Sequence, residues 1–336
     1  MAPLLPYDMF DVTREAKAAK RFSKMQNIYH RGQALAWDGR EVLDELFAKH
    51  GDDNVTPELR PALARTLGPI MWGELAAWKI AAQLADELEE LEPKLAATSQ
   101  AHDEARHFYV FHDYLERVCG HFPRSVPRPA ERLLGLALES DTLAKKVVAM
   151  QLQVEATALT LFHALREADI DPVLSELMIY YEKDEARHVG LGVQILPGLM
   201  AKMSRREQVA FTAHSLRVAL QSIFSLKSAE PNFRAIGIDP RRIVLLGKSK
   251  QMAVFAQLFK GAPQLRDGRT AYVANALDAL AEALWPAEGT TGTWQARAQR
   301  VWQVYVNGYE MVETVLDPTQ GVVEPAPRQR LRIGRA

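Results

Sequence analysis

The pentapeptide Asp-Glu-Ala-Arg-His occurs twice in this chain, at 103–107 and at 184–188, an offset of 81 residues. Thirty residues before the glutamate of each copy stands another glutamate: Glu74 precedes Glu104, and Glu155 precedes Glu185. One Glu-x-x-His alone is weak evidence, because such pairs are common on solvated helix faces. Two identical copies, each with a further glutamate at the same distance, constrain the fold much more. Residues i and i+3 share a helix face, so Glu104 projects with His107 and Glu185 with His188. Thirty residues make one helix, a short turn and a helix back. That brings Glu74 level with Glu104, and Glu155 level with Glu185. Two such hairpins predict a four-helix bundle with four carboxylates and two imidazoles at its centre, the ligand set of a dinuclear carboxylate metal site. Carboxylate-rich sites with one imidazole per ion suit iron or manganese. By this pattern Glu74 and His107 serve one ion, Glu155 and His188 the other, and Glu104 and Glu185 bridge.

Residues beside the ligands fit the same scheme. Asp103 and Asp184 each precede a bridging glutamate, and each is placed to accept the far N–H of the other hairpin's histidine. Arg106 and Arg187 are placed to neutralise these aspartates, which would otherwise be costly to bury.

The rest of the chain reads as helical. Windows rich in Ala, Leu, Glu, Lys and Arg recur at helical spacing between Gly and Pro breaks. Helices are expected at 12–27, 40–50, 68–91, 96–119, 141–168, 172–196, 204–228, 239–260, 268–285 and 293–315, with Thr56-Pro57-Glu58 as a further helix start. The proline-rich stretch 122–129 is expected to be non-helical. The expected organisation is N-terminal helices over 1–67, the dimetal bundle over 68–200, a C-terminal helical extension over 201–316 and a tail over 317–336. The expected class is all-α.

Composition narrows the function classes. Forty-one basic against 42 acidic residues, a net charge of −1, argue against a dedicated nucleic-acid binder. A single cysteine, Cys119, excludes an internal disulfide framework and thiolate-built zinc or iron–sulfur sites, and points to a reducing, cytoplasmic setting. No apolar run is long enough to span a membrane. Met1 to Phe10 lack a charged region followed by an apolar run, so no secretory leader is expected.

At the repeated motifs and their paired glutamates, over about 68–197, the sequence resembles the ferritin-like superfamily of di-iron carboxylate proteins. The Asp-Glu-x-Arg-His form is similar to that of oxygen-activating members: multicomponent monooxygenases, acyl-carrier desaturases, ligand-binding oxidases related to ribonucleotide reductase, and arylamine N-oxygenases. The last two are nearest in chain organisation. The departures are informative. Reductase small subunits place a radical tyrosine four residues after the first histidine, where this chain has Phe111. The ligand-binding oxidases form a valine–tyrosine crosslink at positions held here by Ala77 and Met150. Arylamine N-oxygenases carry an extra histidine ligand where this chain has Tyr181.

The resemblance implies an oxidase or oxygenase with two iron ions, or manganese and iron, using O₂ on a small organic or acyl substrate. The chain has no recognisable flavin or nucleotide fingerprint, so electrons are expected from a separate ferredoxin or reductase. A homodimer is expected by the same resemblance. Tyr181 and Thr157 are candidate catalytic residues, and Ala77, Trp78, Phe108, Phe111, Ala158 and Leu159 candidate pocket liners. The alternative is an iron-handling ferroxidase or a peroxide-reducing relative. About 140 residues beyond the fourth helix argue against a minimal storage subunit. Lys248, Lys250 and Lys260 read as a solvated basic stripe. Trp285, Trp294 and Trp302 read as dimer-interface or packing residues, and Arg328, Arg330, Arg332 and Arg335 as a docking tail for an acidic donor.

Overall fold

A computed structural model describes residues 23–248, Lys250, 269–287 and 292–308. The regular structure of those residues is all helical, with no strand among them. The expected helix segments at 12–22 and 251–260, Lys260, the tail over 317–336 and its arginines lie outside the described residues.

Four long helical units form the bundle. They are α3 (Arg60–Glu87), α4 (Leu91–Cys119), the third unit made of α6 (Leu143–Val147), a π-helical segment (Val148–Val154) and α7 (Glu155–Ala168), and α8 (Pro172–Ala201). α3 packs along α4, and α7 along α8, as two antiparallel hairpins that face each other through α4 and α8. Before them, α1 (Ser23–Ala34) lies across α4 and α8, and α2 (Gly39–His50) packs on the same two helices. After them, α5 (Arg128–Leu138) links the hairpins, and α9 (Arg205–Ala235) lies over α5 and α3. α10 (Arg269–Leu284) and α11 (Trp294–Asn307) pair with each other, and Trp285 joins Ile223 and Ala281 in a small separate core.

Local chemistry sets the ends. Asp38 caps α2 by accepting from the Arg40 and Glu41 amides. Asp171 caps α8 through the Val173 amide, with Pro172 in the first turn, where its missing N–H has no partner to lose. Its carboxylate also accepts from the Tyr114 hydroxyl at 2.6 Å and from Asn54 at 3.1 Å, so this cap ties α8 to α4. Ser204 and Glu207 form a capping box at the start of α9.

Several expected boundaries are corrected. Gly68-Pro69 does not open a helix: α3 starts at Arg60 and runs through Pro69. Gly68 serves a close approach instead. A Cβ there would meet the Pro123 ring at 2.6 Å, and Trp72 Nε1 donates to the Pro123 carbonyl at 2.8 Å, so the proline-rich loop seats on α3. Pro93 begins α4 rather than ending α3, and Pro197 lies inside α8. Most of the stretch 122–129 is loop, but its end starts α5, with Pro129 in the first turn.

The apolar core divides into two parts. One gathers Ile80, Leu84, Ala97, Val147, Val148 and Leu196. The other gathers Leu63, Leu67, Met71, Phe111, Tyr114, Phe162 and Leu177. The spacing of the sequence repeat places Glu74, Glu104, His107, Glu155, Glu185 and His188 between these two parts.

Candidate metal centre

The repeat is realised as one buried layer. α3 supplies Glu74, α4 supplies Glu104 and His107, the first residue of α7 is Glu155, and α8 supplies Glu185 and His188. All six are at most 4% exposed. His107 Nδ1 lies 3.4 Å from an oxygen of each of Glu74, Glu104 and Glu185. His188 Nδ1 lies 3.0 Å from Glu104, 3.3 Å from Glu185 and 4.0 Å from Glu155. Two overlapping ligand groups result: Glu74, Glu104, His107 and Glu185, and Glu104, Glu155, Glu185 and His188, with the candidate atoms of each within 4.8 Å of one another. Glu104 and Glu185 belong to both.

These residues fit metal ions on two counts. Glu104 Oε2, His107 Nδ1 and Glu185 Oε1 are fully buried and have no hydrogen-bond partner. Leaving such atoms unsatisfied is expensive unless something electrophilic occupies the space they face. Charge gives the second count. With the histidines neutral, six buried carboxylates against the guanidiniums of Arg106 and Arg187 leave four negative charges uncompensated. Two divalent cations would balance them. Without metal, protons do part of this work. Burial pushes the Glu74 and Glu155 carboxyls far above the usual range, and neighbouring carboxylates add to it for both. Burial opposes charge on His107 and His188, but the surrounding acids outweigh it and raise both imidazoles well above normal.

The far side of each imidazole is held as the sequence suggests. His107 Nε2 faces Asp184 at 3.1 Å, and His188 Nε2 faces Asp103 at 3.3 Å, each aspartate coming from the opposite hairpin. This leaves both Nδ1 atoms for the centre. Arg106 donates to Asp103 at 2.6 Å and to Asp184 at 2.8 Å. Arg187 donates to the same pair at 3.0 and 2.5 Å. Each guanidinium thus bridges both aspartates. Burial raises the Asp184 carboxyl, but His107 and Arg187 prevail and hold it down at about 2.

Sequence reasoning missed two residues here. Trp37, in the turn before α2, donates from its indole nitrogen to Asp184 at 2.9 Å, and the Arg106 guanidinium sits 4.6 Å over its ring. Gln100, one turn before Glu104, donates to Glu104 Oε1 at 2.9 Å and to Glu155 Oε1 at 3.1 Å. Its position four residues before a ligand was the available signal.

Other candidates are placed as follows. Tyr181 is fully buried and stacks on the His107 ring at 4.2 Å, but its hydroxyl donates to the His107 carbonyl at 2.8 Å rather than to a ligand carboxylate. Phe111 packs on Tyr181 and Phe162, and the three rings wall the His107 side of the layer. Ala77 and Leu159 are buried, and Ala158 is half-buried. The Thr157 hydroxyl bonds back to the Gln153 carbonyl at 2.7 Å. One liner assignment is corrected. Trp78 is 40% exposed, because Glu74 and Ala77 take the inward face of α3. Phe108 is half-buried and lies beside Trp72. The basic stripe is corrected as well: Lys248 pairs with Asp278, and Lys250 is buried, donating to the Leu159 carbonyl at 2.9 Å. Trp294 and Trp302 are exposed, whereas Trp285 is buried.

Fold and site together define an all-α protein with a four-helix bundle and a buried carboxylate–histidine centre able to hold metal. The chain matches no protein-family model, and no curated protein is significantly similar to it.

Proposed function

We propose that the chain is a dinuclear iron, or manganese–iron, oxidoreductase of the ferritin-like oxygen-activating kind, acting on a small organic or acyl substrate. The observation that supports this best is the pair of ligand groups sharing Glu104 and Glu185, with both Nδ1 atoms turned inward. Glu74 and His107 would hold one ion, Glu155 and His188 the other, and Glu104 and Glu185 would bridge. When bound and reduced, such a pair supplies the electrons that activate O₂.

The chain's own residues supply the setting. Asp184 and Asp103 hold the Nε2 protons of His107 and His188, which fixes both tautomers and raises the basicity of the inward nitrogens. Arg106 and Arg187 keep those aspartates ionised. Phe111, Phe162 and Tyr181 exclude water from the His107 side. Electrons would come from a separate ferredoxin or reductase. A homodimer in the cytoplasm completes the reading. Among the described residues no helix is long and apolar enough to cross a membrane.

Elemental analysis of the purified, reconstituted chain tests the centre. About two iron or manganese ions per chain are expected, falling sharply in Glu104→Ala and in Glu185→Ala, because each glutamate belongs to both groups. Unchanged stoichiometry in both variants would overturn the ligand assignment. Exposure of the anaerobically reduced protein to O₂, followed optically, tests the activity. A transient absorbing species whose decay accelerates with substrate supports an oxygenase. Release of ferric iron without substrate dependence would favour iron handling instead.

A further inference from the structure

The two halves of the repeat are not equivalent. The offset of 81 residues pairs Gln100 with Tyr181 and Ile70 with Gln151. Both amides therefore fall beside the Glu155–His188 group, while the Glu74–His107 group has an aromatic ring and an aliphatic chain in their places. The Tyr181 hydroxyl is spent on a backbone carbonyl. The Gln100 amide, 2% exposed, is spent on ligands: its nitrogen donates to Glu155 Oε1 and Glu104 Oε1, and its oxygen accepts from Gln151 Nε2 at 3.5 Å. Gln151 stands in the π-helical segment, which ends at Glu155, where the Glu155 N–H reaches back to the Met150 carbonyl. A π turn is wider than an α turn and is often kept at functional sites. Gly192 makes room for it, since a Cβ there would meet Gln151 Cβ at 2.7 Å. Between α1, α4 and α8 the side chains of Ile28, Ser99, Gln100, Asp103, Arg187 and His188 meet over the same place and leave no room there for a water molecule.

We propose that Gln100 is a positioning residue: by occupying Glu155 Oε1 it favours ligation by Glu155 through Oε2 alone, and so keeps one coordination position of the Glu155–His188 ion open to a small ligand. An amide donor on one carboxylate oxygen disfavours chelation of a single ion by both oxygens, whereas Glu104, bridging two ions, would use each oxygen once and keep a lone pair for the same amide. Among the described residues no amide donates to Glu74, so the Glu74–His107 ion would be the more closed of the two. The inference rests on the dinuclear reading above and deepens it.

The test uses the full chain loaded with Co²⁺ and titrated with azide, read by visible absorption. Metal stoichiometry is measured on the same samples. Gln100→Met keeps the volume and removes the donor, and Gln100→Leu is a second variant should the first fold poorly. The expected result is two Co²⁺ per chain in wild type and variant, with azide affinity lower by tenfold or more in the variant. Equal azide affinity at equal metal content overturns the role of Gln100 while leaving the dinuclear centre intact. Loss of one Co²⁺ in the variant also overturns it, because Gln100 would then be a requirement for binding the ion rather than for keeping it open. A wild-type chain that takes up no Co²⁺ sinks both readings.

Discussion

Lys250 shows how one buried charge shapes this molecule at the scale of a residue. Its ammonium is 4% exposed and donates to the Leu159 carbonyl on α7. Burial lowers its pKa to about 8, with Glu182 opposing the shift and Arg166 adding to it. The unfolded chain holds this proton up to about pH 10.4. Between pH 8 and 10.4 the unfolded state therefore binds more protons than the folded one, and stability rises with pH across that window. Below pH 8 the full cost remains, of order 3 kcal/mol. Lys250→Met is expected to stabilise the protein at pH 7 and to remove that rise. Denaturant unfolding of both proteins at pH 7 and pH 10 checks it, and a difference that does not change with pH would place the amine in solvent. The sequence could not show this burial, because three lysines at loose spacing look the same on a wet face or a docked one. Trp37 and Gln100 were hidden for a related reason: they reach the site across helices, and no local spacing reports a partner 147 or 55 residues away. The buried cluster of four glutamates and two histidines, with its two aspartates, was legible because the repeat states both their identity and their level in the bundle.

Among the elements, the π-helical segment is the least expected from sequence. Val148–Val154 carries ordinary helical periodicity, and the extra residue per turn is accommodated by what α8 lacks. Gly192 lets the wide turn lean in: a Cβ would come within 2.7 Å of Gln151 Cβ and 2.9 Å of Leu152 Cδ2. Gly192→Ala is expected to cost about 1–3 kcal/mol through overpacking. It should also disturb the Glu155 half of the centre more than the Glu74 half, so that metal content falls toward one ion per chain. Urea unfolding and metal analysis on one preparation check both; a neutral substitution would mean the segment has slack to retreat. The prolines misled for a similar reason. Pro69 and Pro197 each give up one intrahelical hydrogen bond, yet buried neighbours such as Leu67 and Met71, or Ile195 and Leu196, hold the helix on course. Caps such as Asp171 and Ser204 were readable because their chemistry is local.

For the whole molecule, the centre lies between two apolar cores and couples them. Six carboxylates, two imidazoles and two guanidiniums interrupt what would otherwise be one continuous core, and each buried ion costs several kcal/mol unless compensated. The antiparallel hairpins, visible in the 30-residue spacing, fix this interruption at mid-bundle. The covering helices α1, α2 and α9 were legible only as helices, since nothing in their periodicity says which face of the bundle they take. Because all four bundle units contribute to the carboxylate–histidine layer, no one of them can leave without breaking it. Metal should therefore stabilise the folded chain as a whole. At free metal a thousand-fold above Kd, each ion contributes about 4 kcal/mol by mass action. Chelation of protein shown to carry metal is expected to lower its thermal midpoint in one cooperative step. Glu104→Ala, which removes a residue common to both ligand groups, should show no such dependence on metal. A midpoint indifferent to chelation in the wild-type chain would mean that the two cores hold together without the ions, and that the charge of the layer is balanced by protons alone.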